Sequence, residues 1–139
     1  MNVERREPPW RIGHVEDHTL TALGMREILD REDDLHWVGT ERSVEALLSA
    51  HGRLDVVVLD LWLGDDTTPE QNVAALAEAG IPALIYTTGE HPYLLRSAAR
   101  AGAYGMVLKD SPTTTLIAAV RSVAQGEAVL PIEWAAAID

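Results

Sequence analysis

The chain has 139 residues, a formal net charge of -11 and no cysteine, and 47% of its residues are hydrophobic. That size allows one domain with a buried core, while the negative charge argues against binding of nucleic acid or an anionic membrane by this segment itself. Without cysteine there is no disulfide, thiolate metal site or cysteine nucleophile. No apolar run matches a membrane span or a signal peptide, so we expect a cytoplasmic protein.

The N-terminal part of the chain predicts a tail, a strand and a helix. Residues 1–10 are charged and rich in proline, and we expect a disordered tail. The run from Trp10 to Val15 predicts a short strand that leads directly into Glu16 and Asp17. Thr19 is a suitable cap for the next helix, because an apolar stripe at helical spacing follows it. The stripe consists of Leu20, Leu23, Met25, Ile28 and Leu29.

An apolar strand in the middle of the chain ends in a single acid. Val56 to Leu59 is a run of β-branched and leucine residues too short for a helix, and Asp60 follows it. Such a run is typical of a strand buried on both faces of a parallel sheet. Ligands of open α/β sheets bind beyond the carboxyl ends of the strands. Asp60 is therefore a candidate functional residue.

Strands and helices alternate through the rest of the chain. Ser43 is a suitable cap for the second helix, Pro69 for the first turn of the third, and Ser111 and Pro112 for the start of the last. Five strands and five helices with short, right-handed connections predict a flavodoxin-like α/β domain. Its doubly wound parallel sheet would have the strand order 2-1-3-4-5 and helices on both faces.

Polar residues stand at the ends of four predicted strands. Glu16 and Asp17 follow the first strand, whereas Asp60, Thr87 and Lys109 end the third, fourth and fifth. The first and third strands are neighbours in the predicted order, so the three carboxylates should meet beside a hydroxyl and an ammonium group. Clustered carboxylates repel one another unless a cation joins them, and oxygen ligands suit Mg²⁺. One carboxylate in such a site can act as a nucleophile toward phosphorus.

Four short segments resemble the receiver domain of two-component response regulators. They are Val15-Glu-Asp-His18, Val58-Leu-Asp60, Ile85-Tyr-Thr87 and Val107-Leu-Lys109. The resemblance covers roughly residues 11–126. Three further segments are similar to the NarL/LuxR branch of that family, namely 100–103, 108–111 and 123–130.

The resemblance implies a role for each residue at the strand ends. Asp60 would be the phospho-acceptor, Thr87 the switch hydroxyl and Lys109 the cation that binds the phosphoryl group. The Mg²⁺ ion would be bound by Asp17, Asp60 and the backbone carbonyl of Trp62, with Glu16 acting through water. A receiver of this kind is not an enzyme beyond its own Mg²⁺-dependent phosphorylation and autodephosphorylation.

Partners and domain boundaries are also implied by the resemblance. A sensor histidine kinase would supply the phosphoryl group, and activation would favour a homodimer. We expect a receiver domain at 11–126 and a linker at 127–139 toward a C-terminal effector outside this sequence, usually a helix-turn-helix. DNA would be bound only through that effector, and no membrane contact is expected.

Two other functions stay open at the level of sequence. Gly64 and Met106 stand where the family usually has a proline and an aromatic residue, which favours a pseudo-receiver that acts by dimerisation or ligand binding without phosphate. The complete set of acids, threonine and lysine favours phosphorylation instead. A haloacid-dehalogenase-type phosphotransferase also uses an aspartate at a strand end, but it needs a second aspartate where this chain has Trp62.

Three histidines lie near the predicted site in the sequence. His14, inside the first strand, is expected to be a buried and hydrogen-bonded imidazole rather than a metal ligand. His18 and His91 border the site and are expected to be solvated loop residues.

Overall fold

The computed structural model describes residues 7–129, in which strands and helices alternate. The five strands are β1 (Trp10–Val15), β2 (Leu35–Glu41), β3 (Val56–Asp60), β4 (Ala83–Thr87) and β5 (Gly105–Leu108). The five helices are α1 (Thr19–Asp30), α2 (Val44–Ala50), α3 (Pro69–Glu78), α4 (Pro92–Arg100) and α5 (Thr113–Ala124).

All strand pairs of the sheet are parallel, and the order is β2-β1-β3-β4-β5. The predicted flavodoxin-like fold and its strand order are therefore confirmed. Val15 pairs with Leu59, and Asp60 pairs with Tyr86 in the next strand. This register brings the carboxyl ends of β1, β3 and β4 to one edge of the sheet, where the predicted site residues stand.

Two hydrophobic layers, one on each face of the sheet, form the core. Along β3, Val57 and Leu59 pack with α2, α3 and α4, whereas Val56 and Val58 pack with α1 and α5. All five residues of β3 are buried, because helices cover both of its faces. Asp60 is the last residue of this buried strand, so the packing of β3 fixes the position of its backbone.

The apolar stripe predicted for α1 is wrong in two of its members. Met25 and Leu29 are buried, but Leu20 is 84% exposed and Leu23 is 56% exposed. An α-helix turns about 100° per residue, so Leu23 lies roughly 160° around the axis from Met25. The predicted stripe thus combined leucines from opposite faces of the helix.

Helix starts were predicted correctly for α2 and α3 but not for α1 and α5. The Ser43 side chain accepts a hydrogen bond from the Ala46 amide, and Pro69 is the first residue of α3 after a Thr68 capping box. The N-cap of α1 is His18 rather than Thr19, and that of α5 is Pro112. Neither of these two ends has a side-chain cap.

Both ends of the described segment pack on the sheet more closely than the predicted boundaries imply. Trp10, the last residue of the predicted tail, begins β1 and is buried. Val129, inside the predicted linker, forms a parallel bridge with Gly105 at the edge of β5. The rest of the linker, including Trp134, lies outside the described residues. Within residues 7–129, no helix is long and apolar enough to cross a membrane.

Candidate phosphorylation and metal site

Four side chains that can bind a metal ion meet at the carboxyl edge of the sheet. Glu16, Asp17, His18 and Asp60 each offer one ligand atom, and these atoms lie within 4.8 Å of one another. Glu16 and Asp17 directly follow β1, and Asp60 ends β3 beside it. The three carboxylates that the strand order predicted to meet are therefore together in the structure.

Lys109 places a positive charge beside Asp60. Its Nζ donates a hydrogen bond to Asp60 Oδ1 over 3.2 Å and lies 3.8 Å from Glu16 Oε1. The Lys109 backbone amide donates to the Thr87 carbonyl over 2.7 Å, so the end of β4 positions the residue after β5. One ammonium group thus lies between two carboxylates.

Burial and the nearby Glu16 carboxylate disfavour the ionised form of Asp60. Only 7% of Asp60 is exposed. Burial raises its pKa, repulsion from the Glu16 carboxylate raises the pKa further, and Lys109 opposes both effects. A cation beside Asp60 would therefore favour its carboxylate form.

The two oxygens of Glu16 have very different surroundings. Oε2 accepts hydrogen bonds from the backbone amides of Asp17 and His18 and from His18 Nδ1, at 3.1, 3.2 and 3.0 Å. Burial alone would raise the pKa of Glu16, but the His18 hydrogen bond and Lys109 outweigh burial, so this pKa lies below its ordinary value. Oε1, in contrast, is buried and accepts no hydrogen bond from the described residues.

A divalent cation fits the donor set. Besides Glu16 Oε1, Asp17 Oδ1 is a buried oxygen without a hydrogen bond from the described residues, although His18 Nδ1 lies 3.1 Å from it. Buried carboxylate oxygens that accept no hydrogen bond are costly, and a hard cation such as Mg²⁺ is bound by oxygens of this kind.

Thr87 is buried at the end of β4, with 4% of the residue exposed. Its Oγ1 accepts a hydrogen bond from the Gly89 amide over 3.1 Å, which holds the hydroxyl in the turn that follows the strand. Asp60 pairs with the preceding residue, Tyr86, so the hydroxyl belongs to the strand next to the candidate acceptor.

The loop after Asp60 is anchored by alternate leucines. Leu61 and Leu63 are buried in the core, whereas Trp62 between them is 61% exposed, with its ring centroid 6.1 Å from that of His91. Gly64 has φ +72°, and a Cβ atom there would lie 3.0 Å from Asp17 Oδ2. Proline cannot adopt this conformation, so the glycine lets the loop pass close to the acids.

Two residues beside the site were missed or misjudged from the sequence. His18 was expected to be merely solvated, but it contacts both Glu16 and Asp17. Arg42, which was not considered, donates from Nη2 to the Asp17 carbonyl over 3.0 Å. Arg42 directly follows β2 and His18 lies three residues after β1, at the same edge of the sheet, and this closeness to strand ends is the signal that would have identified them.

His14 is buried as expected but is only partly hydrogen-bonded. Its Nδ1 lies 3.0 Å from Thr40 Oγ1, while Nε2 has no partner among the described residues. Burial lowers the pKa of His14 to about 4. The imidazole is therefore neutral at physiological pH, in agreement with the interpretation that it is a core residue.

Comparison with curated proteins gives a consistent set of relatives. The chain is 32% identical over 121 residues to the oxygen regulatory protein NreC of Staphylococcus epidermidis and 29% identical over 117 residues to the transcriptional regulatory protein DesR of Bacillus subtilis. These alignments cover 84% and 83% of this chain but 56% and 58% of the relatives, so the chain spans little more than half their length. No protein-family model matches the sequence.

Solved structures agree with this relationship. The response regulator ChrA of a heme-sensing two-component system is 34% identical, with a TM-score of 0.74 over 92% of this chain and 63% of that one. The signal receiver domain of the response regulator NarL from Mycobacterium tuberculosis is 28% identical, with a TM-score of 0.76 over 88% of this chain and all of that one. With its fold and clustered acids, the described part of the chain is similar to the receiver domains of two-component response regulators, and its curated relatives are regulators of the NarL/LuxR branch.

Proposed function

We propose that this receiver domain accepts a phosphoryl group on Asp60 from a sensor histidine kinase. The observation that carries the proposal is the position of Lys109 Nζ, 3.2 Å from Asp60 Oδ1, in a cluster that also contains Glu16 and Asp17. Clustered and buried charges of this kind mark a candidate functional site, and phosphoryl transfer depends on such positioned charges.

For phosphoryl transfer, the protein mainly has to position the reacting groups and stabilise their charge. A carboxylate oxygen of Asp60 attacks the phosphorus of a phosphohistidine, so an O–P bond forms while the N–P bond breaks. The kinase imidazole nitrogen then takes up a proton from solvent. Lys109 pairs with one phosphoryl oxygen, and the Thr87 hydroxyl donates to another after leaving the Gly89 amide.

Asp17, Asp60 and the Trp62 backbone carbonyl would hold Mg²⁺, with Glu16 acting through water, and the ion would supply positive charge beside the carboxylates and the phosphoryl oxygens. Catalytic activity of the chain itself is limited to its own phosphorylation and to hydrolysis of the resulting acyl phosphate. We infer a cytoplasmic location, since the curated relatives are transcriptional regulators.

The output of the switch lies on the face formed by α4, β5 and α5. Met106 in β5 is buried, and it borders a groove of about 400 Å³ between β5 and α5 that Val129 also lines. Movement of the Thr87 hydroxyl would repack this flexible side chain, which takes the place of the usual aromatic ring. The expected consequence is a homodimer on phosphorylation, with DNA bound through a separate effector domain.

Phosphorylation by a small acyl phosphate such as acetyl phosphate tests the proposal. Intact-mass measurement should find one phosphoryl group on the protein with Mg²⁺, and none on Asp60→Asn. Asp66→Asn, an exposed acid of the following loop, should be labelled like the unaltered chain. Lys109→Ala should be labelled more slowly. Labelling of Asp60→Asn at the unaltered rate would contradict the proposal.

A pseudo-receiver is the second candidate, and the conformation of Gly64 favours it. The backbone at Gly64 approaches Asp17 and departs from what a proline at this position allows. In a pseudo-receiver, the unaltered chain would take up no phosphoryl group even with saturating Mg²⁺, and its association state would not depend on acetyl phosphate.

A further inference from the structure

The ammonium group of Lys109, the only lysine of the sequence, lies beside an aromatic ring as well as beside the acids. Its Nζ is 3.2 Å from Asp60 Oδ1, 3.8 Å from Glu16 Oε1 and 5.8 Å from the ring centroid of Tyr86, over that ring. The lysine side chain is 27% exposed. Two carboxylates and one ring therefore flank a cation that is partly removed from solvent.

The register of the sheet explains why the Tyr86 ring reaches this place. Asp60 is directly opposite Tyr86 in the parallel pair of β3 and β4, and Tyr86 is directly opposite Val107 in the pair of β4 and β5. Opposite residues of neighbouring strands, which are about 4.8 Å apart, project from the same face of the sheet. The ring packs against the hydrophobic layer that contains Val58 and Val107. Tyr86 is therefore next to the candidate acceptor on the same face.

The ring contact restricts where the ammonium group can lie. A lysine side chain is a flexible four-carbon stem, so a single hydrogen bond leaves its end considerable freedom. The face of an aromatic ring attracts a cation within about 6 Å of its centroid, and more strongly where the cation is partly desolvated. The carboxylates attract the ammonium group from the ends of β1 and β3, and the ring attracts it from β4.

We propose that Tyr86 is a positioning residue for phosphoryl uptake, which holds the Lys109 ammonium group beside Asp60 through a cation–π contact. The inference rests on the proposed function, in which Lys109 pairs with a phosphoryl oxygen. A further carboxylate in this place would attract the ammonium group but would also repel the incoming phosphoryl group. An uncharged ring attracts the cation without that repulsion.

Labelling by acetyl phosphate with Mg²⁺ tests the role of the ring. Tyr86→Leu removes the ring but keeps an apolar side chain, and the labelling rate should fall about two- to fivefold, the factor expected for a cation–π contact at a partly exposed site. The conservative Tyr86→Phe should rescue the rate. In the Lys109→Ala background, Tyr86→Leu should have no further effect. Tyr104→Leu, the same replacement at an exposed tyrosine before β5, should leave the rate unchanged.

Magnetic resonance of the single lysine tests the contact without any phosphoryl transfer. In protein containing isotope-labelled lysine, the Cε protons of Lys109 give a signal that needs no further assignment, and the Tyr86 ring current should shift it upfield. The signal should keep this shift in Tyr86→Phe and in Tyr104→Leu, and it should move downfield in Tyr86→Leu. If Tyr86→Leu does not fold, Tyr86→Met takes its place in both experiments.

The outcomes separate the ring from the phosphorylation site. An unaltered labelling rate or an unmoved lysine signal in Tyr86→Leu overturns the proposal. It is overturned as well if Tyr86→Leu slows labelling equally with and without Lys109, or if Tyr86→Phe slows it as much, because the ring would then not act through the lysine. Absence of labelling in the unaltered chain contradicts the proposed function, whereas the lysine signal then still supports or overturns the contact between Lys109 and Tyr86.

Discussion

A buried histidine in β1 makes the stability of this domain depend on pH. Burial lowers the pKa of His14 to about 4 from 6.5. Between these two pH values the unfolded chain binds a proton at this position and the folded chain does not. The free energy of unfolding therefore falls as the pH decreases from 6.5 to 4, and the contribution of this residue is on the order of 3 kcal/mol.

Replacement of His14 by valine should remove that contribution. Urea denaturation of His14→Val and of the unaltered chain at several pH values should give free energies of unfolding that diverge toward acid, with the variant losing less. His36→Val changes an exposed histidine of the neighbouring strand and should follow the unaltered chain. Parallel curves for His14→Val and the unaltered chain would refute the assignment of a depressed pKa.

The acceptor aspartate should cost the domain stability when no metal is bound. Burial and Glu16 raise the pKa of Asp60, so its carboxylate form is disfavoured in the folded state. The free energy of unfolding is therefore lower at pH values above the pKa of Asp60 in the folded chain. Asp60→Asn keeps the shape without the charge. At neutral pH in a chelating buffer, we expect a gain of about 1 kcal/mol, or roughly 4 °C in Tm.

Thermal denaturation followed by circular dichroism checks this expectation. Mg²⁺ should raise the Tm of the unaltered chain more than that of Asp60→Asn, because only the former retains all three carboxylates. A lower Tm for Asp60→Asn in the chelating buffer would show that the Lys109 pair stabilises the fold more than repulsion from Glu16 destabilises it.

At the scale of elements, the short helix α1 carries both a core leucine and surface leucines. Leu29 is fully buried against the sheet, whereas Leu20 is 84% exposed. Leu29→Ala should lower the free energy of unfolding by about 2–5 kcal/mol, and Leu20→Ala by less than about 0.5 kcal/mol. Leu20→Ala serves as the control for Leu29→Ala, because both variants make the same replacement in the same helix. Denaturant titration measures the free energy of unfolding of each variant. Equal losses would contradict the observed rotation of α1.

The sequence does not determine the rotation of α1 about its axis, that is, which of its faces is buried. Apolar residues of several types occur all around its axis, so apolar spacing alone allows more than one buried face. The buried face is selected by packing, because Met25 and Leu29 lie in one hydrophobic layer with Ile12 and Leu35 of the sheet. These contacts join residues that are distant in the sequence, so apolar spacing within the helix does not predict them.

For the loop after β3, sequence predicted the presence of acids and turn residues but not the path. Leu61 and Leu63 enter the core, which turns Trp62 outward toward His91. The positive φ of Gly64 then brings the chain back toward Asp17. Each of these features follows from packing against residues distant in the sequence.

For the molecule as a whole, the sheet made the candidate site predictable. The apolar run before Asp60 indicates a central parallel strand, and parallel strands end at one edge, so the sequence alone places Glu16, Asp17 and Lys109 beside it. The orientation of His18 could not be predicted in this way. Strand order determines which residues are near each other, but not which atoms face one another.

Fluorescence of Trp62 offers the most direct measurement of the central claim, that Asp60 is a metal-dependent phospho-acceptor. The metal-free chain would be titrated with Mg²⁺ and then with beryllofluoride, with Trp62→Phe identifying the signal of this exposed ring next to the site. We predict a saturable Mg²⁺ response followed by a beryllofluoride response that Asp60→Asn lacks. A Mg²⁺ response without any beryllofluoride response in the unaltered chain would contradict the claim and favour a receiver that works without phosphate.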